Sequence, residues 1–255
     1  MNINEVYHAY LKHKESERPR DNKVFHASSS GSCYRKQMYS YNSFPSKEMD
    51  EKSYRLLRLG TIVHKDLEKA LSLYKEKLDK MQLKNAPIQR NIHIEEKVSI
   101  KDFNVVGTFD AGESINDGVT VHFNLYDFKT VAAYSWQGMF GRINNRRPVS
   151  PNYKLQLATY AIGIHEKYNN VDKIDMFLLY YNKNTSLTKQ VQVEYSKWVS
   201  EAMEYWAELD DIANNTVNFE EDLVPEITYG VPFQDWECSY CQYSNICPSK
   251  LTKKR

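Results

Sequence analysis

Between residues 81 and 92 the apolar residues of this chain change period, and a chain that does so is neither all helix nor all sheet. Upstream, Leu56, Leu59, Val63, Leu67, Ala70, Tyr74 and Leu78 recur at threes and fours, which predicts a helix over about 52–81 with one buried stripe and His64 beside it. Downstream, Ile92, Ile94, Glu96, Val98 and Ile100 alternate along one face of a strand. A second strand is expected from Phe103 to Asp110, ending Gly107-Thr108-Phe109-Asp110. After the turn signal Asn116-Asp117-Gly118, Val119, Val121, Phe123, Leu125, Asp127 and Lys129 point the same way on a third strand.

Around these strands the pattern predicts a short N-terminal helix with a charged connector, and a helix over 33–41 capped by the serines before it. A helix over 152–168, strands over 175–181 and 189–195, and a helix over 196–214 follow. The order is that of a mixed α/β core, not a βαβ nucleotide-binding repeat. The expected organisation is an N-terminal helix and connector (1–25), a core (26–215) and a cysteine-bearing C-terminal module (216–255).

With 41% hydrophobic and 26% charged residues, no membrane-length apolar run and no secretory leader, the chain reads as cytoplasmic, or host-cytoplasmic if viral. A net charge of +1 excludes a generally basic nucleic-acid-coating protein, so any such contact must come from a local patch. Three of the four cysteines crowd into Cys238-x2-Cys241-x5-Cys247, and Cys33 lies far upstream. In a reducing compartment that spacing favours a metal or an iron–sulfur cluster over disulfides, and four thiolates suit zinc as well.

The chemistry concentrates on Asp110, Asp127 and Lys129. Side chains two apart on a strand share a cleft, so Asp127 can hold a divalent cation while Lys129 orients water or stabilises charge. The carbonyl of Phe128 is a further oxygen donor, and Asp110 on the neighbouring strand can reach the same metal. Hard cations such as Mg2+ or Mn2+ prefer such oxygen ligands. An isolated D-x-K is as readily a solvated ion pair, but this one lies on an apolar strand face. A single helical histidine such as His64 is ordinarily structural. Gln156 and Tyr160 share one helix face and alone would be ordinary helix residues. Trp136, Phe140, Arg142, Arg146 and Arg147 interleave rings and cations in a way that suits a single nucleic-acid strand, or an amphipathic helix with Trp136 in the core. Arg35 and Lys36, beside Cys33, could line the same path. The basic end Lys250 to Arg255 reads as a solvated tail.

Taken in order, Cys33, Gly60-Thr61-Ile62-Val63-His64, Gly107-Thr108-Phe109-Asp110, Tyr126-Asp127-Phe128-Lys129-Thr130, Gln156-Leu157-Ala158-Thr159-Tyr160 and the three C-terminal cysteines resemble the iron–sulfur branch of the RecB-like nucleases in the PD-(D/E)XK superfamily. CRISPR-associated RecB-family exonucleases and their phage relatives belong to that branch. The resemblance spans roughly residues 26–250. It implies a restriction-endonuclease-like mixed sheet with flanking helices, and an iron–sulfur module closed onto an N-terminal helix. It implies His64, Asp110, Asp127 and the Phe128 carbonyl as ligands of Mg2+ or Mn2+, Lys129 as the catalytic lysine, and Gln156 and Tyr160 flanking the site. Cys33, Cys238, Cys241 and Cys247 would hold a [4Fe–4S] cluster. The family often carries a glutamate on its first core strand; Glu95 and Glu96 align equally, and strand parity selects Glu96. The implied activity is a DNA exonuclease on single strands, 5′ to 3′, acting in CRISPR adaptation, phage recombination or repair. Any helicase partner must be a separate chain, since no P-loop motif is present. The competing reading is a DNA-binding or assembly module that keeps the fold and cluster without catalysis.

Overall fold

The change of period falls where a 31-residue helix gives way to a 12-residue strand. The computed structural model describes residues 1–17, 23–82, 87–142, 146–168, 170–215, 227–228, 231–232 and 235–248. In chain order its helices are α1 (Ile3–Ser16), α2 (Tyr34–Tyr41), α3 (Glu51–Met81), α4 (Ala133–Phe140), α5 (Pro151–Lys167), α6 (Tyr195–Asn215) and α7 (Asp235–Tyr240). Its strands are β1 (Phe25–His26), β2 (Gln89–Ile100), β3 (Val105–Asn116), β4 (Val121–Val131), β5 (Lys173–Asn182), β6 (Thr188–Val193), β7 (Ile227–Thr228) and β8 (Val231–Pro232).

Local chemistry sets the ends of these elements. Asp50 caps α3 by accepting the Ser53 N–H at 2.7 Å. At the β3–β4 turn, Asp117 Oδ1 accepts the N–H groups of Val119 and Thr120 at 2.9 and 2.7 Å, and Gly118 supplies the left-handed conformation at φ 88°. This hairpin carries β3 past Asp110 to Asn116, so Asp110 lies mid-strand and does not end its strand as expected.

The sheet is organised around β3. One edge pairs antiparallel with β2 from Val105 to Asn116. The other edge is divided: it pairs parallel with β1 at Val105 and Val106, and antiparallel with β4 only from Ala111 to Asn116. β4 instead runs parallel to β5 from His122 to Val131, and β6 completes that side antiparallel. A parallel pair needs a crossover, and α4 and α5 supply it. The result is a mixed α/β sheet with flanking helices.

The main core lies between the sheet and α5. Leu157, Ala158, Ala161 and Ile164 of α5 are fully buried, as are Phe109, Leu125, Met176, Leu178 and Tyr180 of the strands. Each large apolar side chain so enclosed contributes about 1.5–3 kcal/mol. α6 packs on α5 through Trp198, Ala202, Tyr205, Trp206 and Leu209, spaced for one helix face. Trp206 Nε1 donates to Thr159 Oγ1 at 2.8 Å, so the buried indole keeps its hydrogen bond.

α3 covers the opposite face and departs from expectation. Of its 31 residues only Tyr54 is buried, while Leu56, Leu59 and Tyr74 are 47%, 41% and 42% exposed. Periodicity identifies an apolar face but not how closely another layer approaches it. Here α3 rests on β2, β3 and β4 along a narrow line, with α1 against it through His8 and Tyr54. Near the C-terminus, Lys47 N donates to Gln242 O at 2.8 Å and Tyr243 packs on Tyr39 of α2, tying the cysteine-bearing turn back to the N-terminal part of the chain. Much of 216–255, including Lys250 to Arg255, lies outside the described residues. Among the described residues no helix is long and apolar enough to cross a membrane.

Gly107 admits a close approach between β3 and α5. A Cβ there would stand 2.7 Å from both Ala27 Cβ and Tyr160 Cε1. Gly107→Ala is therefore expected to lower unfolding free energy by about 1–3 kcal/mol through overpacking. Urea denaturation checks this, and a midpoint equal to wild type would refute the close packing.

Candidate active site

The site begins where β3 and β4 part. Their ladder ends at the pair Ala111–Tyr126. Just beyond it, the Phe128 N–H donates to the Asp110 carboxylate rather than to a backbone carbonyl. A side chain has taken the place of the next rung, so the strands can diverge without orphaning a peptide group. Asp110 and Asp127 thereby face one fork, from β3 and β4 respectively.

Asp127 is 2% exposed and continues the buried face of Phe123 and Leu125, as the alternation predicts. Val119, expected on the same strand face, lies outside β4 and is 89% exposed. Burial drives the Asp127 carboxyl upward; Lys129 opposes this and the nearby charge of Asp110 adds to it. Lys129 Nζ meets Asp127 Oδ2 at 2.6 Å as an ion pair, without the alignment of a hydrogen bond. The same ammonium donates to Gln156 Oε1 at 2.9 Å, and Gln156 Nε2 donates to Tyr160 OH at 2.7 Å. Gln156 and Tyr160 are thus joined to Lys129 in one polar chain along α5. Tyr153, which sequence reasoning did not single out, completes the lysine's surroundings with its ring 4.7 Å from Nζ.

From the opposite face, α3 brings His64 to Asp110, Nδ1 to Oδ1 at 3.3 Å. Its ring stands edge-on to Phe128 at 5.7 Å. The Asp110 carboxylate raises the His64 pKa, against the effect of burial.

Strand parity fails on β2, and the choice of Glu96 fails with it. Glu95 has φ 50°, a left-handed conformation that costs a residue with a Cβ roughly 1–2 kcal/mol. The face assignment inverts there. Ile92 lies with Leu71 and Tyr74 of α3, whereas Val98 packs on Gly163 of α5. His93 and Glu96, an odd number apart, touch at 2.7 Å, which a regular strand forbids. Glu96 therefore points to the end of α5. Burial opposes its ionisation, but Lys167, Tyr168 and His93 together pull its carboxyl down to about 2. Glu95 is the glutamate beside Asp110. Although its side chain reaches solvent, partial burial first, then the charges of Asp110 and Glu68, push its carboxyl up to about 7. Both glutamates were visible in the sequence; the positive φ that decides between them was not.

Three carboxylates and an imidazole suit a hard divalent cation, and their mutual repulsion marks negative charge that a cation would relieve. The donor chemistry fits Mg2+ or Mn2+. The side chains do not form a closed shell: among the described residues no group of three or more His, Cys, Asp or Glu is gathered closely enough to hold a metal ion. Lys129 takes up the charge of Asp127 in this arrangement.

Of the other candidates, Cys33 stands at the N-cap of α2, buried, with its thiol pushed up to about 11 by burial. Cys241 and Cys247 lie close enough to add to that shift. Cys238 is buried nearby in sequence on α7, and no disulfide links the four. Arg35 is 5% exposed and donates to Cys247 Sγ at 3.7 Å, so it faces the cysteines and not a polymer in solvent. Trp136 is 8% exposed and packs on Phe140, which resolves that segment toward the core reading. Arg142, Arg146 and Arg147 remain exposed, with Arg147 over the Tyr134 ring at 4.8 Å.

The model of the PD-(D/E)XK nuclease superfamily matches residues 42–248, and the chain belongs to that superfamily, whose nucleases are hydrolases that typically use divalent metals. The crystal structure of SSO0001 superposes with a TM-score of 0.51 over 98% of both chains at 17% identity, a likeness of fold. An exonuclease candidate from Eubacterium rectale gives a TM-score of 0.44 at 13% identity, over 76% of this chain and 83% of its own. Among curated protein sequences none matches.

The two glutamates are expected to separate by stability. A carboxyl raised to about 7 in the fold is destabilising when ionised, so its penalty is present above pH 7 and fades as pH falls toward 4.5. At pH 8 Glu95→Gln should therefore be at least as stable as wild type. Glu96→Gln should lose about 1–3 kcal/mol through its charge-assisted hydrogen bonds. Urea melts at pH 8 check both, and the reverse order would overturn the assignment.

Proposed function

We propose that this protein is a Mg2+- or Mn2+-dependent DNA nuclease, acting as an exonuclease on single strands. The reading rests on one observation above the others: the Asp110 carboxylate completes the broken β3–β4 ladder and stands between His64, Glu95 and the Asp127–Lys129 pair. Membership of a nuclease superfamily supplies the reaction class. The single-strand preference and the 5′ to 3′ direction rest on the sequence resemblance, as do partners from CRISPR adaptation, recombination or repair.

Asp110, Asp127, His64, Glu95 and the Phe128 carbonyl would hold the cation. When bound, a divalent ion polarises the phosphate and lowers the pKa of water. The chain's own groups do the rest. Lys129 is positioned by Asp127 and Gln156 to donate to a phosphate oxygen or to orient the attacking water. Gln156 fixes that ammonium from its far side, and Tyr160 fixes Gln156.

The four cysteines are proposed to hold a [4Fe–4S] cluster that clasps the C-terminal turn to α2. Such a clasp closes a very long loop and stabilises as structural metals do. Its role would be structural, since α2 and the turn at 241–247 already meet through Tyr39 and Tyr243.

Anaerobically purified protein is expected to be brown, to contain iron, and to degrade end-labelled single-stranded DNA with Mn2+ or Mg2+ but not with EDTA. Asp127→Ala and Lys129→Ala should each lower the rate roughly a hundred- to ten-thousand-fold. Variants that digest DNA like wild type would reject the site. Retention of stable DNA binding without cleavage in the wild type would support the assembly-module reading instead. A colourless protein holding zinc would reject the cluster.

A further inference from the structure

One turn beyond Gln156 on α5, Tyr160 also forms part of the wall of a cleft of about 770 Å3 between α5, β2 and β3. Its volume is in the range of ligand-enclosing pockets. Three lysines line it, Lys97, Lys101 and Lys167, together with the hydroxyl-bearing Ser28, Ser99 and Thr108. For a chain of net charge +1 this is a local concentration of cations.

The lysines are not equivalent. Lys167 is already engaged, with Nζ 2.6 Å from Glu96 Oε2 and 3.2 Å from the Lys97 carbonyl. Lys97 and Lys101 are exposed and enter no ion pair among the described residues. The one acidic residue on the wall, Glu166, accepts the Lys101 backbone N–H at 3.2 Å. Two exposed ammonium groups thus face a cleft whose wall also carries the His26 imidazole and three hydroxyls, groups that can donate to phosphate oxygens, with Glu166 as its one carboxylate. The floor adds a second feature. Between Val106 and Ala111 the outer edge of β3 pairs with no strand among the described residues, and Gly107 and Thr108 of that stretch line the cleft. Asp110 lies at the end of the same stretch, so the edge leads from the cleft to the fork.

We infer that this cleft seats the sugar–phosphate backbone of a single nucleic-acid strand immediately beside the scissile position, with Lys97 and Lys101 as its phosphate contacts. The inference rests on the nuclease reading for the identity of the polymer. A concavity of this size admits a few nucleotides of one strand. Tyr160 separates the two compartments: its hydroxyl serves the Lys129 chain and its ring edge bounds the cleft.

The test uses the full chain carrying Lys129→Ala, so that DNA survives, with EDTA and a fluorescein-labelled oligothymidylate. Adding Lys97→Glu and Lys101→Glu is expected to weaken binding about tenfold or more. The slope of log affinity against log salt should fall by about 1.4, the share of two phosphate contacts on a single strand. The control, Lys69→Glu with Lys77→Glu on the exposed side of α3, makes the same charge change elsewhere and should shift neither quantity comparably. Thermal melts check that both variants fold. Affinity and slope unchanged by the cleft pair, or lowered equally by the control, overturn the cleft. Cleavage by the protein with native Lys129 is scored separately. DNA cleaved while the cleft pair has no effect removes the cleft and keeps the nuclease; DNA bound through the cleft but never cleaved keeps the cleft and removes the nuclease.

Discussion

A single carboxylate, that of Asp110, takes over a hydrogen bond that a backbone carbonyl would otherwise accept, and the arrangement of the site follows from it. Strands in a continuing ladder stay about 4.8 Å apart, which leaves no room for functional groups between them. By accepting the Phe128 N–H, Asp110 lets β4 leave β3 at no cost in unsatisfied peptide groups and continue along β5 instead. Around Asp110 at the fork this opens stand Asp127, Glu95 and His64. Removing the carboxylate would therefore delete a donor atom and also undo the join that holds the fork's geometry.

The charges gathered there work against stability, and the surrounding chain is arranged to contain them. Asp127 sits on a strand face with Phe123 and Leu125, where an unpaired carboxylate is strongly disfavoured. Lys129 supplies the countercharge, Gln156 holds Lys129, Tyr160 holds Gln156, and Tyr160 in turn is wedged against Gly107 of β3. The series runs from β4 across α5 and back to β3, so the position of Lys129 is fixed by the same contact that packs α5 onto the sheet. Among the described residues Glu95 enters no ion pair, His64 alone opposes its shift, and its carboxyl is held near 7.

Parts of this were legible in the sequence for definite reasons. Regular alternation on β4 put Asp127 on the buried face, because nothing between Val121 and Lys129 disturbs the pleat. The four-residue spacing of Gln156 and Tyr160 gave their shared helix face. What the sequence could not carry was any feature set by a single dihedral or by an opposing layer. The left-handed Glu95 inverts β2 halfway, and no composition marks it, since either glutamate reads as an ordinary strand residue. The stripe on α3 was real as a periodicity, yet Leu56 and Leu59 stay exposed because little is packed over them. Arg35, read as lining a polymer path, and Trp136, for which strand-stacking and core packing were equally open, both lie buried, since type alone does not report which side of an element meets the core.

The thin seating of α3 matters for the site itself. His64 is the group at the fork contributed by this helix, and its place depends on how α3 meets the sheet. The core face of α5 is locked by fully buried side chains. α3 is located instead by a short series of local contacts: Gly60 passing so near Thr130 that a Cβ there would stand 3.3 Å from its hydroxyl, His64 edge-on to Phe128, and Lys75 donating to the Ile92 carbonyl at 2.6 Å. Few of these bury much apolar area, so the free energy holding α3 in register is small beside that holding α5. The imidazole is consequently the least redundantly fixed member of the site, and Asp110, anchored through the Phe128 N–H, is the point against which its position is set.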